Sequence, residues 1–186
     1  MASKTGLLYL VLVLRVFTLL FLAASIVVLA TDKVHLDHDT KIYFTDVLAY
    51  RYVMAVAVIG LFYTLIQLPF AIYFVAKEKR WIQHGCLPEF DFYGDLVISF
   101  LLATGVGVGF GFTIDAKRAL KGIFADAEQS ADLNFDSRIL DNYASKSYES
   151  LDRAMIATGM LLCGFVTMAI TSIITSFRKT SNQGEG

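Results

Sequence analysis

Two charged side chains stand inside apolar runs. The stretch LLYLVLVLRVFTLLFLAASIVVLA (residues 7–30) carries Arg15 near its middle, and FDFYGDLVISFLLATGVGVGFG carries Asp95 near its start. A guanidinium at bilayer depth costs about 2.5–3.5 kcal/mol on insertion scales, so Arg15 calls for a partner or a route to the headgroups. Asp95 is the one acid within an apolar run that can answer it. Three readings follow. The pair is a structural staple between the first and third runs, or part of an ion or proton pathway, or Asp95 is interfacial and the two never meet. Helical side chains tilt toward their own N-terminus, which brings a long arginine on the first run back to the depth of Asp95 on the third.

Other chemistry is thin. His35, Asp37, His38 and Asp39 supply zinc-type donors, but their spacing fits no strong motif and a solvated polar loop accounts for them. No His–Glu zinc motif, Gly-rich phosphate loop or nucleophile elbow occurs, and Ser99 and Thr104 read as helix-packing hydroxyls. The expectation is a non-enzyme with no catalytic, cofactor or metal site. Gly105 with Gly109, and Gly107 with Gly111, each form a small-xxx-small pattern that lets helices approach closely, within one bundle or between subunits.

The elements that must position these residues follow from composition. Of 186 residues 56% are hydrophobic and 18% charged, and mean hydropathy is +0.58, above the roughly 45–50% apolar content of soluble domains. This is the composition of a membrane protein. A net charge of −1 offers no cationic footprint for nucleic acid. Four runs reach the roughly 20 residues needed to cross a bilayer: 7–30, 52–75, 93–113 and 155–177. The first is too long for a signal-peptide core and reads as a retained span. The expected fold is an all-α four-transmembrane-helix bundle with helical extensions on the outer side.

An even span count puts both termini, 1–6 and 178–186, on one side. Lys77, Lys79 and Arg80 in the connector 76–92 (which also holds Trp81), with Lys4, Arg178 and Lys179 beside the outer spans, mark that side as cytosolic. Lys117, Arg118 and Lys121 fall in the longer, net-acidic second outer loop. Cys86 lies in the connector, where a plain thiol or a reversible palmitoylation site are the readings, and Cys163 lies in the fourth span. Pro69 can kink the second span.

The first outer loop, 31–51, is short, with Tyr43 and Phe44 suited to the membrane interface. In the second, 114–154, Leu120, Ile123, Phe124 and Ala127 form an amphipathic stripe, and Leu140, Tyr143, Ser147 and Leu151 a weaker one. Helical extensions joined by a turn near residues 132–136 are expected. The tail RKTSNQGEG should be disordered.

The segments holding Arg15 and Asp95 resemble the first and third spans of the plant Casparian strip membrane domain protein-like (CASP-like) family, related in architecture to MARVEL-type four-span proteins. The likeness extends over all four spans and their spacing. It implies cytosolic termini, a plasma-membrane location, and homo- and hetero-oligomers with related four-span proteins. It also implies a scaffold role that organises local cell-wall modification, with cell-wall-modifying enzymes and the lipid bilayer as partners. The first outer loop lacks the aromatic, proline-containing signature of the founding members, so what the resemblance implies is membership of the broader CASP-like family. The alternative is a small transporter or channel subunit that uses the Arg15–Asp95 pair.

Overall fold

The structure is a computed structural model that describes residues 2–31, 33–35, 41–43, 48–77, 87–130 and 137–183. Four long helices form the described core: α1 (Ala2–Thr31), α2 (Leu48–Lys77), α3 (Leu87–Ser130) and α4 (Ser137–Gln183). Each contains a stretch long and apolar enough to cross a membrane. Only 28% of each such stretch is buried inside the bundle, so most of every helix surface faces outward. That outer surface is apolar, with Phe62, Ile66, Val97, Phe100 and Ile173 all exposed. The interior, by contrast, holds Arg15, Thr18, Thr64, Gln67, Asp95, Ser99, Thr113 and Thr158. Water would not tolerate this arrangement, whereas a bilayer requires it, because lipid solvates apolar side chains and leaves polar ones to find partners within the protein.

Cross-helix pairings fix an up-down-up-down order. Arg15 meets Asp95 and Thr18 meets Thr167 toward the end that carries both termini. Ser25 meets Ala157 and Tyr50 meets Thr113 toward the opposite, distal end. Between them Leu22, Leu102 and Leu161, each without exposed surface, form the apolar centre of the core. Gly60 admits them: a Cβ there would stand 3.1 Å from Leu102 and 3.2 Å from Leu22.

With 44 and 47 residues, α3 and α4 run about 66 and 70 Å at 1.5 Å per residue, roughly twice a 30 Å hydrocarbon core. The excess lies largely at the distal end, as a helical extension in which Lys117 Nζ donates to Asp152 Oδ1 at 2.5 Å. Arg153 also pairs with Glu149 one turn away, at 2.7 Å. Both are partly or fully exposed pairs of the kind that contribute little individually. α3 starts at Leu87, with Pro88 in its first turn, where the missing N–H costs nothing. α2 continues through Pro69, and the Thr31 hydroxyl donates to the Val27 carbonyl one turn back at 2.7 Å.

Two features depart from the sequence reading. The first outer loop contains a short antiparallel ribbon, β1 (Lys33–His35) with β2 (Lys41–Tyr43), in which Val34 pairs with Ile42. β-branched residues at both positions favour extended backbone. The terminal tail is not wholly irregular either, since α4 stays helical to Gln183. Between Gly164 and Gly184 the sequence has neither proline nor glycine to interrupt the hydrogen-bond ladder. The set Asp37, His38 and Asp39, together with Phe44, Lys79, Arg80, Trp81, Cys86 and the turn at 132–136, lies outside the described residues. The side chains of His35, Tyr43, Ala127, Leu140 and Tyr143 do so as well.

Candidate functional site

The site is built on one face of each of three helices. On α1, Arg15, Thr18, Leu22, Ser25 and Leu29 recur at helical spacing and all are buried. On α3 the corresponding stripe is Asp95, Ser99, Leu102, Gly105, Gly109 and Thr113, and on α2 Gly60, Thr64 and Gln67 continue the stripe from Val53 and Val56. The two charges are therefore delivered to the same interior by periodicity. Arg15 Nη2 donates to Asp95 Oδ2 at 3.1 Å, with Arg15 3% and Asp95 0% exposed. Arg15 is enclosed rather than reaching to the membrane surface.

Asp95 has a second donor that sequence reasoning missed. Tyr63 Oη donates to Asp95 Oδ1 at 2.9 Å, and Gln67 Nε2, one turn further along α2, donates to Tyr63 Oη. Donors thus run in one direction, from Gln67 through Tyr63 to the carboxylate, while Arg15 approaches the other oxygen. Both oxygens of the acid are held, which is what a buried carboxylate needs. Gly94, next to the acid, makes the approach of the tyrosine feasible, since a Cβ at 94 would lie 3.0 Å from Tyr63 Cε2. The available signal was a Tyr-x-x-x-Gln pair on an otherwise apolar helix and a glycine directly before the only intramembrane acid.

Removing the tyrosine hydroxyl takes one donor from a fully buried carboxylate. Tyr63→Phe should therefore lower stability by about 1–3 kcal/mol, measured as detergent thermal unfolding. Gly94→Ala should do likewise by displacing the ring, and its effect should be smaller in the Tyr63→Phe background, which loses the hydroxyl but keeps the Cε2 and Cζ atoms 3.0 and 3.1 Å from that Cβ.

Beyond the network lie Leu22, Leu102 and Leu161, and buried hydroxyls of the core donate their protons to carbonyls of their own helices: Thr64 to Gly60, Ser99 to Leu96, Thr113 to Gly109 and Thr158 to Ala154. Ser99 and Thr104, read as packing hydroxyls, both bond to carbonyls of their own helix. Thr104 also meets Tyr52 Oη at 2.8 Å.

The four glycines of α3 divide into two sets. Gly105 and Gly109 face the bundle interior: a Cβ at 105 would sit 3.0 Å from Val56 Cγ1, and one at 109 would sit 2.6 Å from Thr158 Oγ1. At Gly107 and Gly111 a Cβ would meet nothing within 4 Å. Two interleaved patterns with the same Gly-xxx-Gly spacing thus face opposite ways. Cys163 is exposed on α4, and Ile123 of the expected extension stripe is also exposed.

Comparison with known proteins agrees with this geometry. The model of the Casparian strip membrane protein domain matches residues 4–123, which comprise α1, α2 and most of α3. CASP-like protein 4D1 of Ricinus communis is 40% identical over 169 residues, covering 89% of this chain and 88% of that protein. CASP-like protein 4D1 of Sorghum bicolor is 38% identical, covering 95% and 94%. CASP-like protein 4D2 of Arabidopsis thaliana is 37% identical, covering 90% and 88%. These alignments extend beyond the domain match. No solved structure matches the chain. A family match over more than half the chain, together with relatives 37–40% identical along most of its length, has one consequence: the chain belongs to the CASP-like family of membrane proteins.

Proposed function

We propose that this protein is a non-enzymatic scaffold of the plasma membrane that associates laterally with copies of itself and with related four-span proteins. Both termini face the cytosol, and the assembled patch organises local cell-wall modification by recruiting wall-modifying enzymes. The observation that carries the reading is the buried polar network. Arg15, Asp95, Tyr63 and Gln67 bond to one another inside the bundle, and Leu22, Leu102 and Leu161 pack in the core beyond them. Such a pair fixes the arrangement of helices rather than presenting charge to a moving solute. Residues Gly107 and Gly111 leave an outward strip of α3 on which another helix can come close.

The test uses differently tagged full-length copies in one intact membrane. Capture of one tag should bring down the other, and protease treatment of sealed vesicles should show both tags on the cytosolic face. Proteoliposomes containing the purified chain should conduct no more than empty ones. Failure of co-capture at native expression would remove the scaffold reading. Flux that is abolished by Asp95→Asn would establish the transporter or channel alternative in its place.

A further inference from the structure

The buried network is one donor short at its α2 end. Gln67 is 6% exposed. Its Nε2 donates to Tyr63 Oη, but no donor among the described residues reaches its Oε1, which is also buried. Turning the amide over would not mend this. The single phenolic proton of Tyr63 is given to Asp95 Oδ1, so an amide oxygen set against Tyr63 would meet a lone pair. The orientation is therefore fixed, with the nitrogen toward the tyrosine and the oxygen away from it. A buried acceptor left without a donor costs the full desolvation of that group, so Oε1 needs a donor from somewhere.

Helix count places further acceptors at the same level. Thr18 on α1 meets Thr167 on α4, and Arg15, nearly one turn closer to the termini than Thr18, meets Asp95 on α3. Thr171, one turn beyond Thr167, is thus level with the ion pair. Thr175 is one turn further on, level with Gln67, which itself lies one turn beyond Tyr63. Thr171 is fully buried. Thr171 and Thr175 each donate to a carbonyl of their own helix at 2.9 Å, which uses their protons and leaves the hydroxyl oxygens as acceptors.

We infer that the network binds a water molecule at this level, which gives one proton to Gln67 Oε1 and the other to a threonine oxygen of α4. Acceptors on two helices call for a small molecule with two protons to donate, and water bridges buried polar groups in this way. A neutral donor is favoured over a cation. Arg15, 3.1 Å from Asp95, already answers the one buried acid of the network, and a second cation would be repelled by that guanidinium. Gln67 stands nearer Lys77, the end of α2 on the side of the termini, than Leu48, so the water enters from that side. Its role is to hold the amide. With Oε1 engaged, Nε2 stays on Tyr63 and the tyrosine proton stays on Asp95, which makes Gln67 a positioning residue for the ion pair. The inference is independent of the scaffold proposal, since hydration of the core and co-capture of copies are separate measurements.

The experiment uses the full-length chain in lipid nanodiscs and water labelled on oxygen. An X-ray pulse splits bound water in place into hydroxyl radicals, which mark the side chains beside it, and mass spectrometry reads the mark. Tyr63 should be marked several-fold more than Tyr50, which is 3% exposed and bonded to Thr113 in the distal half of the core. Gln67→Met keeps the volume and removes the acceptor, so marking of Tyr63 should fall to the level of Tyr50. The same loss without a change in Tyr63 marking would overturn the inference, as would a wild-type Tyr63 marked no more than Tyr50. Should the methionine variant fail to fold, the wild type decides alone. An experimental structure that shows ordered water should place one about 3 Å from Gln67 Oε1; a side chain or main-chain donor of the protein in that place would overturn the assignment.

Discussion

Arg15→Ala and Asp95→Ala should be the most damaging substitutions in the bundle, each costing about 3–5 kcal/mol by the measure of buried pairs in soluble proteins. The reason is the stranded partner. Without Arg15, the carboxylate of Asp95 keeps Tyr63 as a donor but loses the opposite charge on its other oxygen. Without Asp95, a guanidinium that is 3% exposed loses the opposite charge that answers it. Both variants should show lower thermal stability in detergent and poor delivery to the cell surface. The double variant Arg15→Met with Asp95→Leu should recover much of the loss, because it leaves no unpaired charge and restores apolar volume. A charge swap should recover less, since an aspartate at 15 is too short to span the gap and an arginine at 95 cannot accept from Tyr63. A double-mutant cycle on melting temperature measures the coupling; strictly additive losses would dissolve the pair as an energetic unit.

Substitutions at the α3 glycines should divide by position in spite of their shared pattern. Gly109→Leu should destabilise the bundle by about 1–3 kcal/mol or more, because even its Cβ would lie 2.6 Å from Thr158 Oγ1 and 2.7 Å from Thr158 Cγ2. Gly109→Ala should show the milder form of the same clash, and Thr158→Ala should relieve it by removing both atoms. Gly107→Ala should instead leave the fold intact and gain up to about 1 kcal/mol, the helix-propensity difference between the two residues, as nothing stands within 4 Å of its Cβ. Thermal unfolding separates these outcomes. Gly107→Leu then serves as the clean probe of association between copies. Loss of co-capture with an unchanged melting temperature would place an interface on the outward strip. Equal destabilisation at 107 and 109 would contradict the orientation of α3.

Much of this protein is fixed by properties that act locally along the chain. A run of 20 or more apolar residues must be helical in lipid to satisfy its own backbone, so four spans could be counted without coordinates. An arginine amid such a run must be answered, and with one acid in an apolar run the choice of Asp95 followed from elimination and depth. The helical extensions were legible from the spacing of Leu120, Ile123 and Phe124. The ribbon at Val34 and Ile42 and the last turns of α4 were missed because short segments carry weak local signals that their surroundings decide.

The rotation of each helix about its axis was decided only by the tertiary structure. In water the buried face of a helix is betrayed by its apolar stripe; in lipid both faces are apolar, and the pattern loses its direction. Gly105-xxx-Gly109 and Gly107-xxx-Gly111 are therefore indistinguishable as strings, and packing against Val56, Leu161 and Thr158 decides which one turns inward. The same rotation of α2 brings Tyr63 and Gln67 to an acid some thirty residues away, past a glycine whose only visible role is to leave room. Sequence determined which charges had to be buried together, whereas the mutual fit of four helices determined who else would hold them.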